Sequence, residues 1–156
     1  MARDRYKKSN ENKFLSDYDI QKSSKALSNI DRMIQIFYSA NYRNNFGARI
    51  ELILEESGLA KWKFAECAGI SENTLDQWRS DFKNEIEVNR IRLFKFCTGL
   101  HLPYDISKML LDQKRILFYD NSIEDCVYRT ILQKYYHHSK DEINEILRKN
   151  NLAKWW

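Results

Sequence analysis

Apolar residues recur along this chain at three- and four-residue intervals, the spacing of helices that bury one face. In 17–44, Ile20, Leu27 and Ile34 recur every seven residues and predict an amphipathic helix. Further stripes of helical period follow through 45–156. One Pro and four Gly in 156 residues leave little material for turns. The pattern predicts an all-α protein.

The middle of the chain contains two short amphipathic helices joined by a Gly-containing turn. Phe64 and Ala68 lie on one apolar stripe of the first helix. Gly69 is placed to end that helix, because Gly adopts the left-handed conformation without strain. Leu75 and Trp78, three residues apart, give the second helix its inward face. This layout is that of a helix-turn-helix, which presents its second helix to the major groove of DNA.

The second helix begins and faces solvent with polar residues. Ser71 is predicted to be its N-cap, because the hydroxyl can accept a hydrogen bond from the amide of Asn73 or Thr74. The residues predicted to face outward are Glu72, Asn73, Asp76, Gln77 and Arg79. The helix is therefore predicted to be fixed by its apolar side and to leave a polar side for a partner.

This segment resembles the lambda-repressor-like family of helix-turn-helix proteins, also called Xre- or Cro-type. Nine residues fall in register with the family pattern without a gap: Leu59, Phe64, Ala65, Gly69, Ile70, Ser71, Thr74, Leu75 and Trp78. The resemblance implies a five-helix domain over 45–113, with the amphipathic helix of 17–44 before it. A C-terminal helical pair in 114–156 is similar to the extension of small Xre-type regulators. The polar, basic residues 1–16 are predicted to form a flexible arm.

The resemblance implies a sequence-specific DNA-binding regulator of a bacterium or mobile element, with the helix over 72–79 in the major groove. Three positions depart from the family pattern. The family's usual Gln at the start of the helix before the turn is Lys61 here, and its usual Glu after the recognition helix is Arg79. The Arg or Gln that is frequent in the recognition helix is Glu72. The residues expected to contact phosphate are Lys61, Lys63, Arg79 and Lys83, with the amide of Ser71 at the helix N-terminus. Those expected to read bases are Glu72 for cytosine and Asn73 and Gln77 for adenine, with Thr74 at a phosphate or a thymine methyl.

Charge complicates this interpretation. The segment 50–87 carries a net charge of −5, whereas 1–49 and 88–156 carry +5 and +4. A DNA-binding surface is usually basic where it meets phosphate. One explanation is that the basic residues named above face DNA while the acids Glu51, Glu55, Glu56 and Glu66 face away.

The other explanation is that the fold is kept and its exposed helix now meets a protein. The alternative function is therefore an interaction or inhibitor protein, of the antitoxin or phage anti-defence (anti-CRISPR) type. The acids that would face a basic partner are Glu72, Asp76, Asp81, Glu85 and Glu87. The apolar stripe in 20–37 has two possible roles. It either packs on the chain's own helical domain or forms a homodimer contact, since proteins of the resembled family often bind DNA as dimers.

The end of the chain carries two further signals. Ser139 followed by Glu142 is a capping box, which predicts a last helix through Lys149. Beyond it, Trp155 and Trp156 are predicted to fold back over the core. The alternative for the two indoles is a docking tag, since tryptophan is enriched at binding hot spots.

Enzymatic, metal and membrane functions are not favoured. No nucleophile is paired with a base, and His137 and His138 are adjacent, which directs their rings apart on a helix. We therefore expect no catalysis, no cofactor and no metal. The chain also shows no secretory signal and no apolar run of membrane-spanning length. Three widely spaced cysteines predict reduced thiols in a cytoplasmic protein.

Overall fold

The computed structural model describes residues 24–39 and 45–156, with side chains from Asp31 onward. Within these ranges the chain is all-helical, as predicted, and contains no strand. The helices are α1 Ser24–Phe37, α2 Phe46–Ser57, α3 Lys61–Ala68, α4 Glu72–Arg79, α5 Arg90–Gly99, α6 Tyr104–Gln113, α7 Ile123–Lys134 and α8 Lys140–Lys149. The arm predicted over 1–16 lies outside the described residues.

Most helices begin at a side chain that accepts a hydrogen bond from the first turn. The N-caps that do so are Asn45, Ser71, Asn89, Ser122 and Ser139. Ser71 accepts from the amide of Thr74, one of the two donors predicted for it. At Ser139 the capping box with Glu142 is complete, as predicted. Local sequence therefore sets these helix starts, because each cap satisfies an amide that has no partner inside its helix.

Aromatic rings form the centre of the core between α2, α3, α4 and α5. Trp78 of α4 meets Phe46 of α2 at 5.8 Å and Phe96 of α5 at 5.5 Å between ring centroids. Phe64 of α3 meets Phe96 from the other side at 5.7 Å, edge to face. All four rings are buried, and edge-to-face pairs add to the hydrophobic gain of burying them. The core thereby holds α4 at fixed positions against three neighbouring helices.

Helix α1 lies against the same core. Its Met33 and Phe37 are fully buried, and Ile34 packs partly against the core. Part of the amphipathic stripe predicted in 20–37 is therefore used within the chain itself. The side chains of Ile20 and Leu27 lie outside the described ones, so the homodimer contact through this stripe stays a prediction.

The C-terminal residues fold back, as predicted. Trp155 is 5% exposed and its ring lies 5.5 Å from Phe94 of α5 and 5.4 Å from Tyr128 of α7. The side chain of Asn144 accepts hydrogen bonds from the amides of both tryptophans, at 3.0 and 3.1 Å, and its Nδ2 donates to the Trp156 carbonyl. The 114–156 extension is thereby joined to the preceding helices.

A buried ion pair fastens the loop between α4 and α5. The side chains of Asp81 and Lys114 are 2% and 5% exposed, and the Lys114 ammonium donates to the Asp81 carboxylate. The same ammonium donates to the carbonyl of Ile86 at 2.7 Å and lies 4.4 Å from the ring centroid of Phe46. The loop thus connects α2, α4 and the end of α6.

In the part of the chain that is described, no helix has the length and apolarity needed to cross a membrane.

Candidate nucleic-acid interface

The turn between α3 and α4 is fixed by backbone geometry. Gly69 adopts φ 68°, in the left-handed region, and ends α3 as predicted. The amide of Ile70 donates to the carbonyl of Ala65 at 3.1 Å, which satisfies a carbonyl left free at the helix end. Ser71 then starts α4, and its hydroxyl donates to Thr74 Oγ1 at 2.9 Å. Ser71 and Thr74 are therefore engaged with each other in the cap.

Helix α4 separates cleanly into two sides. Leu75 is fully buried and Trp78 is 3% exposed, as predicted for the inward face. The exposed side chains of this helix are Glu72, Asn73, Asp76 and Gln77, also as predicted. Thr74 is half-buried, and so is Arg79, which was predicted to face outward with these four. A rigid helix thus presents a short row of amide and carboxylate groups at the surface.

Glycine at position 47 allows the carboxyl end of α4 to lie against the start of α2. A Cβ atom added to Gly47 would stand 2.5 Å from the carbonyl oxygen of Arg79. The amide of Gly47 also donates to the carbonyl of Asp81 at 2.9 Å. The register of α4 is therefore held at both ends, by the turn at Gly69 and by this contact.

Arg79 is paired with acids on two helices. Its Nε and Nη2 donate to the two carboxylate oxygens of Glu51 on α2, the latter at 3.2 Å, and its Nη1 donates to Asp76 at 3.3 Å. The hydrogen bonds to Glu51 raise the pKa of the Arg79 guanidinium above its ordinary value, against the opposing effect of burial. Bidentate pairing of this kind fixes the guanidinium plane.

Lys61 approaches the same Asp76 from α3. Its ammonium lies 2.6 Å from the carboxylate, and the two side chains are 38% and 47% exposed. The hydrogen bond from Lys61 lowers the pKa of Asp76, to which the charge of Arg79 also contributes. Asp76 thus lies between two of the cations that were predicted to meet phosphate.

The remaining predicted cations are distributed differently. Lys63 pairs with Glu66 one turn further along α3 at 3.7 Å, and Lys83 is exposed in the loop after α4. The explanation that separated these cations from the acids of α2 and α3 is wrong for Glu51 and Glu66, whereas Glu56 pairs with Arg32 of α1. Glu51 pairs with Arg79, and Glu66 pairs with Lys63, because the acids lie within reach of the cations they were expected to oppose.

Two exposed aromatic residues flank this surface and were not singled out by the sequence pattern. Trp62 on α3 is 58% exposed and Phe82, just after α4, is 63% exposed. Phe82 lines an open groove of about 410 Å³ together with Ala48, Glu51, Leu52, Glu55, Asp76, Arg79 and Ser80. Spacing alone does not distinguish them from core residues, because Trp62 is three residues before the buried Ala65 and Phe82 is four residues after the buried Trp78.

Comparison with known proteins gives no relative: no family model, curated protein or solved structure matches this chain.

Proposed function

We propose that this protein is a sequence-specific DNA-binding regulator of a bacterium or mobile element, built on a lambda-repressor-like helix-turn-helix domain over 45–113. In this proposal α4 enters the major groove of an operator. The observation that carries it is α4 itself, a capped helix whose Leu75 and Trp78 are buried while its polar side is exposed. The exposed row has the size and chemistry that major-groove readout requires.

The exposed side chains of α4 suit particular bases. Asn73 and Gln77 are four residues apart and lie on one face, so their amides can each pair with the N6 and N7 edge of an adenine. Glu72, in the first turn, can accept from the N4 amino group of a cytosine. The operator is therefore expected to contain adenines and a cytosine opposite the exposed side of α4.

The ion pairs at Asp76 do not prevent phosphate binding. The carboxylate of Asp76 pairs with Lys61 and with one nitrogen of Arg79, whose other nitrogens are held by Glu51. Exposed pairs of this kind are worth only about 0.2–1 kcal/mol, so a phosphate can replace the carboxylate at a small cost. Asp76 then acts as an internal competitor that weakens binding to all sequences alike. The reading of bases would be left to Glu72, Asn73 and Gln77.

The proposal is tested by selecting duplexes from a random pool, including the region upstream of the gene, at low salt. A regulator is expected to retain a consensus and to lose affinity steeply as salt rises. The variant Asn73→Ala is expected to relax one position of the consensus at a cost of about 1–3 kcal/mol. Asn121→Ala is the matched control, because Asn121 is exposed on the loop before α7. Failure to retain any duplex would contradict the proposal.

A second candidate function is supported by the groove that Phe82 lines. Glu51, Glu55 and Asp76 place carboxylates along it, and Phe82 offers an exposed ring. A basic peptide segment of a partner protein would find both charge and apolar surface there. This interaction or inhibitor function predicts that Phe82→Ala abolishes partner binding, whereas the DNA-binding function predicts an unchanged consensus for the same variant.

A further inference from the structure

Three lysines from three different helices converge beside the carboxyl end of α3. We name Lys63 of α3, Lys95 of α5 and Lys140 of α8 the lysine cluster. The ammonium groups of Lys140 and Lys95 lie 4.1 and 5.1 Å from the centroid of the same ring, that of Trp156. The Lys140 ammonium also donates to the carbonyl of Glu66 at 3.1 Å. The tertiary fold, rather than the local sequence, therefore assembles this group of cations.

Trp156 brings the cluster together because its ring is wedged against the turn of the candidate interface. A Cβ atom added to Gly69 would stand 2.3 Å from Cζ3 of the Trp156 ring. The ring is therefore seated directly on the residue that ends α3. An ammonium over an indole face is held there by cation–π attraction, which is strongest for tryptophan among the aromatic residues. The lysine cluster thus has a fixed position at the edge of the α3–α4 unit.

The cluster is electrostatically under-compensated. Burial lowers the pKa of Lys140, and the positive charges of Lys95 and Lys63 lower it further. One carboxylate among the described residues acts on Lys140, that of Glu66. Its side chain is 62% exposed and is already paired with Lys63. Lys140 thus lies near two other ammonium groups and one exposed carboxylate. Like charges held together in this way are relieved by a bound polyanion.

The first turn of α3 joins the lysine cluster to the side of that helix that meets α4. Lys61, Trp62 and Lys63 are consecutive on α3, where each residue turns about 100° around the axis. Lys61 lies toward α4, where it meets Asp76, and Lys63 lies toward the cluster. The exposed ring of Trp62 lies between them, and the Lys63 ammonium stands 5.9 Å from its centroid. Trp62 and Lys63 therefore lie between the side of α3 that meets α4 and the lysine cluster.

We propose that the lysine cluster binds backbone phosphates of duplex DNA beside the segment read by α4. This inference rests on the proposed function and adds to it a sequence-independent contact from the C-terminal helical extension. The cluster carries no base-reading group, so it strengthens binding to every duplex to the same extent. The extension on α8 then serves as part of the DNA-binding surface as well as a support for the fold.

The test compares Lys95→Gln/Lys140→Gln with the unmodified chain and with Lys134→Gln/Lys149→Gln, a control that removes two exposed lysines elsewhere on α7 and α8. Affinity is measured against salt concentration for a selected duplex and for a random-sequence duplex. We expect the slope of log K against log salt to lose about 1.8 in magnitude in the cluster variant on both duplexes, since each phosphate contact contributes about 0.9. We expect the control variant to leave the slope unchanged.

A variant that keeps the charge separates phosphate binding from support of the fold. Lys95→Arg/Lys140→Arg is expected to restore the slope, because guanidinium groups bind phosphate as ammonium groups do. An unchanged slope in the Gln variant, with the selected duplex still bound, overturns the inference and leaves the proposed function in place. Loss of about 1.8 from the slope on random duplexes, with no sequence ever selected, supports the cluster and contradicts base reading. Absence of binding to any duplex contradicts both.

Discussion

The buried pair of Asp81 and Lys114 offers the sharpest test of how the fold is held. The change Lys114→Met keeps most of the side-chain volume and removes the charge. It leaves the Asp81 carboxylate 2% exposed with no cation beside it, and it leaves the Ile86 carbonyl without its ammonium donor. The contact of the ammonium with the Phe46 ring is lost as well. The change therefore concentrates its effect on one buried, desolvated charge.

The expected loss is about 3–5 kcal/mol of unfolding free energy, the range found when one partner of a buried ion pair is removed. A loss of this size corresponds to a fall in Tm on the order of 10 °C for a chain of this length. The matched control is Lys108→Met, which breaks the pair with Asp112 on the same helix α6. Both of its side chains are more than half exposed, so it is expected to cost less than about 1 kcal/mol.

Urea unfolding followed by tryptophan fluorescence measures both variants, since the chain contains four Trp. The double variant Asp81→Asn/Lys114→Met is included because Asn keeps an oxygen to accept from the amide of Glu85, as Asp81 does at 2.9 Å. The double variant is expected to be more stable than Lys114→Met alone, because the unpaired buried charge is gone. If Lys114→Met costs no more than Lys108→Met, the reasoning about burial is refuted.

Three other changes test separate parts of the structure. Asp76→Asn is expected to raise the affinity for all duplexes without altering the consensus, because Asp76 no longer competes with phosphate for Lys61 and Arg79. Binding assays with selected and random duplexes check this, and weaker binding would count against it. Trp155→Ala is expected to lower the unfolding free energy by about 3–5 kcal/mol in urea titrations, since the ring is 5% exposed; a cost below about 1 kcal/mol would show that it contributes no packing. Burial tends to raise the pKa of Asp125, but hydrogen bonds from the Tyr119 amide and from Arg90 outweigh it, so the pKa is lowered on folding. The stabilisation is therefore present above the ordinary carboxyl pKa of about 4 and is lost as pH falls through the lowered value. The difference in unfolding free energy between the unmodified chain and Asp125→Asn should shrink over that acid range. A constant difference would contradict this reasoning.

Local chemistry was sufficient for several elements of this protein. The helical period, the end of α3 at Gly69 and the capping box at Ser139 were predicted from residues no more than four positions apart. The inward direction of Leu75 and Trp78 followed from the same spacing. These features depend on backbone hydrogen bonds and side chains within one helical turn, so the sequence determines them without knowledge of the rest of the fold.

The charges at the surface could not be obtained in the same way. A count along 50–87 indicates an acidic segment, but it does not show that Asp76 lies between Lys61 and Arg79 or that Glu51 reaches across from α2. Lys61 and Asp76 are 15 residues apart in sequence, and Arg79 and Glu51 are 28 apart, whereas Asp76 and Arg79 lie within one helical turn. A Coulombic contact depends on the distance between two side chains, and that distance is fixed only when the helices pack.

The sequence by itself determined an all-helical chain and a short capped helix with one polar side. The tertiary structure decided which charges meet there from different helices. It paired Lys61 with Asp76 and Arg79 with Glu51, and it brought Lys95 and Lys140 to the two-tryptophan end of the chain, where they surround Trp156. The physical reason is range, because helix formation is decided within a turn of the backbone, whereas these electrostatic partners meet only when segments far apart in the chain pack together.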